Sequence, residues 1–218
     1  MLIILVVVLV FSFCACSNSN VPADSASNGQ ADTAVKTNAE NILIAYFTAA
    51  ENSGVDAVAS ASYTTINGQA VGRLRAVADM IQENTGGDLF SIQTAEVYPA
   101  NGGELIDYAA EEQDENARPK LTSHIEDLDR YDVIFIGYPI WWADLPMAVY
   151  SFFDEYDFSG KTIIPFNVHN GSRFSRTIQT IEELEPDATV IENGFTVNEQ
   201  AVMDADDDVS AWLKELGY

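Results

Sequence analysis

Beyond residue 16 the chain has no cysteine: Cys14 and Cys16, its only two, close the N-terminal apolar run. The remainder of the chain can hold no disulfide, no thiolate nucleophile and no cysteine-ligated zinc or iron–sulfur centre. Positive charge is scarce too. Ten Lys and Arg stand against 34 Asp and Glu, a net charge of −24, and the first cation is Lys36. Such a chain repels phosphate backbones, which sets nucleic-acid binding aside; its acidic surface either steers basic partners or serves solubility. The apolar run of residues 2–13 falls short of the ~20 residues that span a bilayer. No pattern repeats at a fixed period, which excludes a solenoid.

That run, unbroken but for Ser12, has the length of a secretory signal core. Behind it Cys14-Ala15-Cys16 leads into Ser17-Asn18-Ser19-Asn20, and a small residue before a cysteine with a polar tail resembles the lipobox of bacterial lipoproteins. The resemblance implies residues 1–16 as an export signal and Cys16 as the lipidated residue anchoring the protein to the outer face of a bacterial membrane, its sole contact with lipid. The alternative is that both cysteines are small filler in the signal. Residues 17–40 are Ser, Asn, Ala and Asp without an aromatic, a composition that cannot bury enough apolar surface to fold, and read as a tether.

Residues 41–218 suit one α/β domain. Setting aside Asp24, Asp32, Glu40 and Lys36 leaves 31 acidic against 9 basic residues there, a charge near −22. Short apolar runs predict buried strands at 42–47, 89–93, 133–137, 162–167 and 189–192. Helical spacing predicts helices at 72–84, 104–115, 122–128 (with Thr122 as N-cap), 146–156, 174–184 and 206–215. Such alternation means parallel strands with right-handed crossovers. Five strands in the doubly wound order 2-1-3-4-5, with helices on both faces, bring the loops after strands 1, 3 and 4 into one crevice. Those loops are Thr48-Ala49-Ala50, Tyr138-Pro139-Ile140-Trp141-Trp142 and His169-Asn170-Gly171-Ser172. Two adjacent tryptophans can stack on a flat heteroaromatic ring, and small polar residues opposite can reach its polar edge. Core packing is the competing account of the tryptophans, and capping that of His169.

These residues, with Tyr46-Phe47-Thr48, the stretch from Glu112 to Pro119 and Tyr156-Asp157-Phe158-Ser159-Gly160-Lys161-Thr162, resemble the flavodoxin-like family of bacterial FMN proteins over 42–197. The resemblance implies FMN held non-covalently. Its phosphate would meet Thr48, Ala49 and Ala50; its ring would lie between Pro139 to Trp142 and His169 to Ser172, the latter on the pyrimidine side. The chain departs from the family at the phosphate loop, where Ala49 to Val71 intervene and Gly72-Arg73-Leu74 stands in for a Gly-Asn-Thr-like end. Gly72 lets backbone close on an anion at the helix start. Leu74 has no hydroxyl, so Thr64, Thr65 or Asn67 supplies the bond, or Arg73 does, unless Arg73 faces solvent.

The expected function is electron transfer at the cell surface to a redox protein or a small-molecule acceptor. The alternatives are an FMN-dependent NAD(P)H:quinone-type reductase and a cofactor-free binding lipoprotein on the same scaffold. A phospho-receiver is excluded, since the first strand does not end in paired acids and no lysine follows the fifth. The acidic pairs Glu111-Glu112 and Asp114-Glu115 read as a solvated helix face, and Asp204, Asp206, Asp207 and Asp208 as the cap of the last helix.

Overall fold

Ile42–Tyr46 form β1, a strand buried on both faces, in a computed structural model that describes residues 41–53, 63–66 and 69–218. The export signal, Cys16, the tether and Asn67 lie outside those residues, and Thr64 and Thr65 enter only as backbone. The strand alternation divides the core. Ile42, Ile44 and Tyr46 join one apolar cluster, while Leu43, Ala45 and Phe47 join the other. Each of the larger aliphatic side chains and Phe47 contributes about 1.5–3 kcal/mol by leaving water.

After β1 come α1 (Ala49–Asn52), β2 (Tyr63–Ile66), β3 (Gln69–Gly72), α2 (Arg73–Thr85), β4 (Asp88–Ser91) and α3 (Gly102–Asp114). The chain continues through β5 (Val133–Pro139), α4 (Met147–Glu155), β6 (Thr162–His169), α5 (Thr177–Leu184), β7 (Thr189–Val190), β8 (Phe195–Asn198) and α6 (Asp206–Leu216). The main sheet is all parallel, in the order β4-β1-β5-β6-β7, with β8 also on β6. This is the expected 2-1-3-4-5 arrangement. Helices α2 and α6 cover one face, where Val77 and Ile81 meet Val209, Trp212 and Leu213; α3, α4 and α5 supply the other. Gly86, at φ 72°, ends α2 by donating to Gln82 O.

Three expectations are corrected. The predicted helix 122–128 is absent. Leu121 instead forms an antiparallel bridge with Thr94, and Thr122 N–H donates to Gln93 O, so the segment is held extended beside the chain leaving β4. The fifth strand is not one run over 189–192 but two, β7 and β8, on successive parts of β6. Ile163 O faces the outer strand, accepting from Ile191 N–H, so Pro165 two residues on faces it as well but has no N–H to give. Pairing lapses there, and Gly194 fits against Pro165 O so closely that a β-carbon would stand 2.4 Å from it. Finally, β5 and β6 run two residues beyond prediction, which places Tyr138, Pro139 and His169 within strands. The segment 51–71 carries the β2–β3 antiparallel hairpin.

Candidate functional site

The carboxyl end of β1 turns sharply and is clamped. Phe47 N–H still bonds Gly137 O of β5, after which Thr48, extended at φ −141°, opens α1. Asn52, buried, donates its side-chain amide to Thr48 O and Ile92 O and accepts from Thr94 N–H, tying the exits of β1 and β4 together. Ala49 is buried and Ala50 half-buried. Thr48 is 1% exposed, and its hydroxyl oxygen has no hydrogen-bond partner. A buried hydroxyl left unmatched costs about 1–3 kcal/mol.

Gly72 packs directly on that hydroxyl and stands at the N-cap of α2, where it offers no side chain to cap the first turn. An orphaned oxygen beside the N–H groups of a helix start suits an anion. Leu74 is core, so its position offers backbone alone. Arg73 is not the solvent-facing residue of the alternative reading: its side chain is 24% exposed and lies 3.8 Å from the Glu199 carboxylate, itself 10% exposed.

At the end of β5, Tyr138 turns inward, donating its hydroxyl to Thr177 Oγ1 at 3.0 Å, and burial holds that phenol well above its ordinary pKa. Ile140 N–H bonds Val168 O, which fixes this loop to β6. Trp141 and Asp144 exchange backbone hydrogen bonds across a two-residue turn, with Trp142 at φ 47° and Ala143 at φ 64°. Both central residues left-handed define a type I′ turn, which glycine and asparagine ordinarily fill. Non-glycine residues there cost of order 1–3 kcal/mol each, strain of the kind found at ligand sites. Trp141 is half-buried, its ring edge-on to Phe47 at 5.5 Å and tilted on Tyr98 at 5.7 Å. Trp142 is 56% exposed and donates its indole N–H to Ile106 O. The pair thus divides between packing and presentation.

His169 ends β6, 8% exposed. Its Nδ1 accepts from Gly171 N–H at 2.8 Å, so the neutral ring carries its proton on Nε2. Burial lowers the imidazole pKa, Arg173 lowers it further and Glu199 opposes both. Gly171 (φ 105°), Arg173 (φ 54°) and Ser175 (φ 50°) coil the loop; Asn170, Gly171 and Ser172 are exposed. Two strand residues earlier and on the same face, Asn167 accepts from Thr196 Oγ1 while its amide nitrogen, fully buried, has no partner.

Sequence reasoning missed Asn52, Tyr98, Asn167 and Glu199, and misplaced Glu112. That carboxylate is not solvated: it is 6% exposed and accepts from Tyr98 OH at 3.2 and 3.3 Å. The signal was present, since Leu105, Ala109 and Glu112 follow the helical period of one buried face.

Comparisons with known proteins agree with this architecture. A family model described as Flavodoxin matches residues 61–216. A candidate flavoprotein from Bacteroides uniformis shares 26% identity at a TM-score of 0.61, over 81% of this chain and 99% of that one. One from Bacteroides eggerthii shares 26% identity at 0.56, over 78% and 98%. A flavoprotein from Lactobacillus acidophilus, solved in complex with FMN, is similar in fold at 18% identity and a TM-score of 0.55, over 78% and 99%. No curated protein matches significantly.

Proposed function

The chain belongs to the flavodoxin family, and from that premise we propose that it binds FMN non-covalently and transfers electrons at the cell surface. The observation that carries the proposal is the Thr48 hydroxyl, buried, without a partner and pressed against Gly72 at the start of α2. It fits a phosphate oxygen. A relative of the same fold is an FMN complex, which supports the same ligand.

In this reading Thr48, the backbone of Ala49, Ala50, Gly72 and Leu74, and Arg73 hold the phosphate; Arg73 exchanges part of its pairing with Glu199 for it. Trp141 and Trp142 flank the ring, with Pro139 and Ile140 as the wall behind them. The buried imidazole of His169 keeps its Nε2 proton available for a carbonyl on the ring's polar edge, and Asn170, Gly171 and Ser172 complete that side. Tyr138 supports the loop from the core. The bound FMN supplies the redox chemistry; the protein supplies grip, exclusion of water and a field of strongly negative sign.

Electrons pass to or from a redox protein or a small diffusible acceptor, without nucleic acid, and lipid at Cys16 with the 17–40 tether holds the domain at the membrane. The chain purified without added flavin, then titrated with FMN while flavin fluorescence is followed, tests the cofactor. Tight quenching supports it. A colourless protein indifferent to FMN would overturn it in favour of a cofactor-free scaffold.

A further inference from the structure

Tyr98 is fully buried, with its ring edge-on to Phe47 at 5.4 Å and tilted against Trp141 at 5.7 Å, and its hydroxyl on the Glu112 carboxylate. One side chain therefore joins a buried acid on α3 to the tryptophan in the loop after β5. We propose that Glu112 is a positioning residue for Trp141: acting through Tyr98, its charge state sets the packing of that ring and so the grip of the crevice on a flat ligand. The step from Trp141 to grip rests on the FMN reading; the step from Glu112 to Trp141 does not.

An ionised carboxylate takes the Tyr98 hydroxyl in a charge-assisted hydrogen bond, which holds the ring in one place. Protonated, the acid becomes a donor itself and its hold on Tyr98 weakens. The groups facing Glu112 come from every neighbouring segment. Glu96 and Tyr98 precede α3, Tyr108, Glu111 and Glu115 lie along it, and Arg118 follows it, paired at 2.5 Å with Asp154 of α4. A cleft of about 240 Å³, lined by Glu96, Tyr108, Glu111, Glu115 and Arg118 with Glu112 itself, gives solvent protons a path to the acid. Burial pushes Glu112 up to about 7, the Tyr98 hydrogen bond pulls it down and Glu96 pushes it up again. Both charge states are then populated near neutrality.

The three tryptophans make the test local. Incorporating 5-fluorotryptophan into the whole chain gives one fluorine resonance each for Trp141, Trp142 and Trp212, assigned by Trp→Phe variants. The Trp141 resonance should shift with a midpoint near the Glu112 value of about 7 and become flat in both Glu112→Gln and Tyr98→Phe. Trp212, packed on the opposite core cluster against Phe135 and Phe195, should not follow it. FMN affinity in the native chain should carry a severalfold change centred on the same midpoint as the Trp141 resonance, and Glu112→Gln should remove that component while leaving any change centred on His169 in place. A Trp141 resonance that is flat from about pH 5.5 to about 8.5, or that titrates unchanged in Glu112→Gln, would overturn the proposal. Should that variant fail to fold, Tyr98→Phe, which keeps the ring and drops only the hydroxyl, decides alone. Titration of Trp141 without FMN binding would support the positioning link and sink the cofactor reading.

Discussion

The hydroxyl of Thr48 lies 2.7 Å from where a β-carbon on Gly72 would stand. The two residues come from segments more than twenty positions apart, and their contact leaves no room for any side chain at 72. Gly72→Ala should push the start of α2 off β1, cost on the order of 1–3 kcal/mol as overpacking does, and abolish tight FMN binding. Thr48→Val separates the two effects. It keeps the shape while removing an unmatched oxygen, so stability should hold or rise, whereas FMN affinity should drop about tenfold, the ~1.4 kcal/mol of one hydrogen bond. Thermal unfolding and flavin-fluorescence titration read the two quantities.

Ala143 sits at φ 64° in a turn built for glycine. Ala143→Gly should stabilise the protein by roughly 0.5–1 kcal/mol, the relief of left-handed strain less the entropy glycine adds to the unfolded chain. Ala143→Val, β-branched, should destabilise it by more than that. Chemical denaturation of the three forms measures the order.

A buried acid and a buried base give stability opposite slopes against pH. Glu112 has its folded pKa raised from 4.5 to about 7, so the unfolded chain is the weaker proton binder between those values and stability falls as pH rises through that window. Glu112→Gln should remove the fall, worth on the order of 1 kcal/mol. His169 has its folded pKa lowered from 6.5, so below 6.5 the unfolded chain binds the extra proton and stability rises with pH until 6.5 is passed. His169→Asn should remove that rise. Denaturant midpoints at a series of pH values separate the two, with no slope in either window counting against the burial described.

Glu199 competes for Arg73 at 3.8 Å. Glu199→Gln should leave the guanidinium more available and strengthen FMN binding severalfold, with a smaller gain for riboflavin, which lacks the phosphate. Equal gains for both ligands would place Arg73 outside the phosphate site.

Much of the fold was legible in the sequence because strand burial on two faces leaves an unmistakable apolar run: 42–47, 133–137 and 162–167 appear in the sheet where they were expected. That β1, β5 and β6 would be neighbours in the sheet followed from strand order alone. What could not be read is whatever depends on contacts distant in sequence. Leu121 pairs with Thr94, so a segment of fair helical spacing became extended. Glu112 looked solvated because its neighbours are acidic, whereas the hydroxyl that meets it in the core belongs to Tyr98, fourteen residues upstream. The ends of β5 and β6 were misjudged because Pro139 and His169 read as loop residues although their backbones continue the parallel ladder.

The lapse in pairing at Pro165 also bears on how this protein behaves in company. It reduces one margin of the main sheet to stubs of two and four residues, β7 and β8, and the opposite margin, β4, is only four residues long. Among the described residues, a foreign strand seeking to extend the main sheet finds no row of open N–H and C=O groups longer than four residues on either side. Molecules meeting at high concentration can therefore collide repeatedly without extending one another's main sheet.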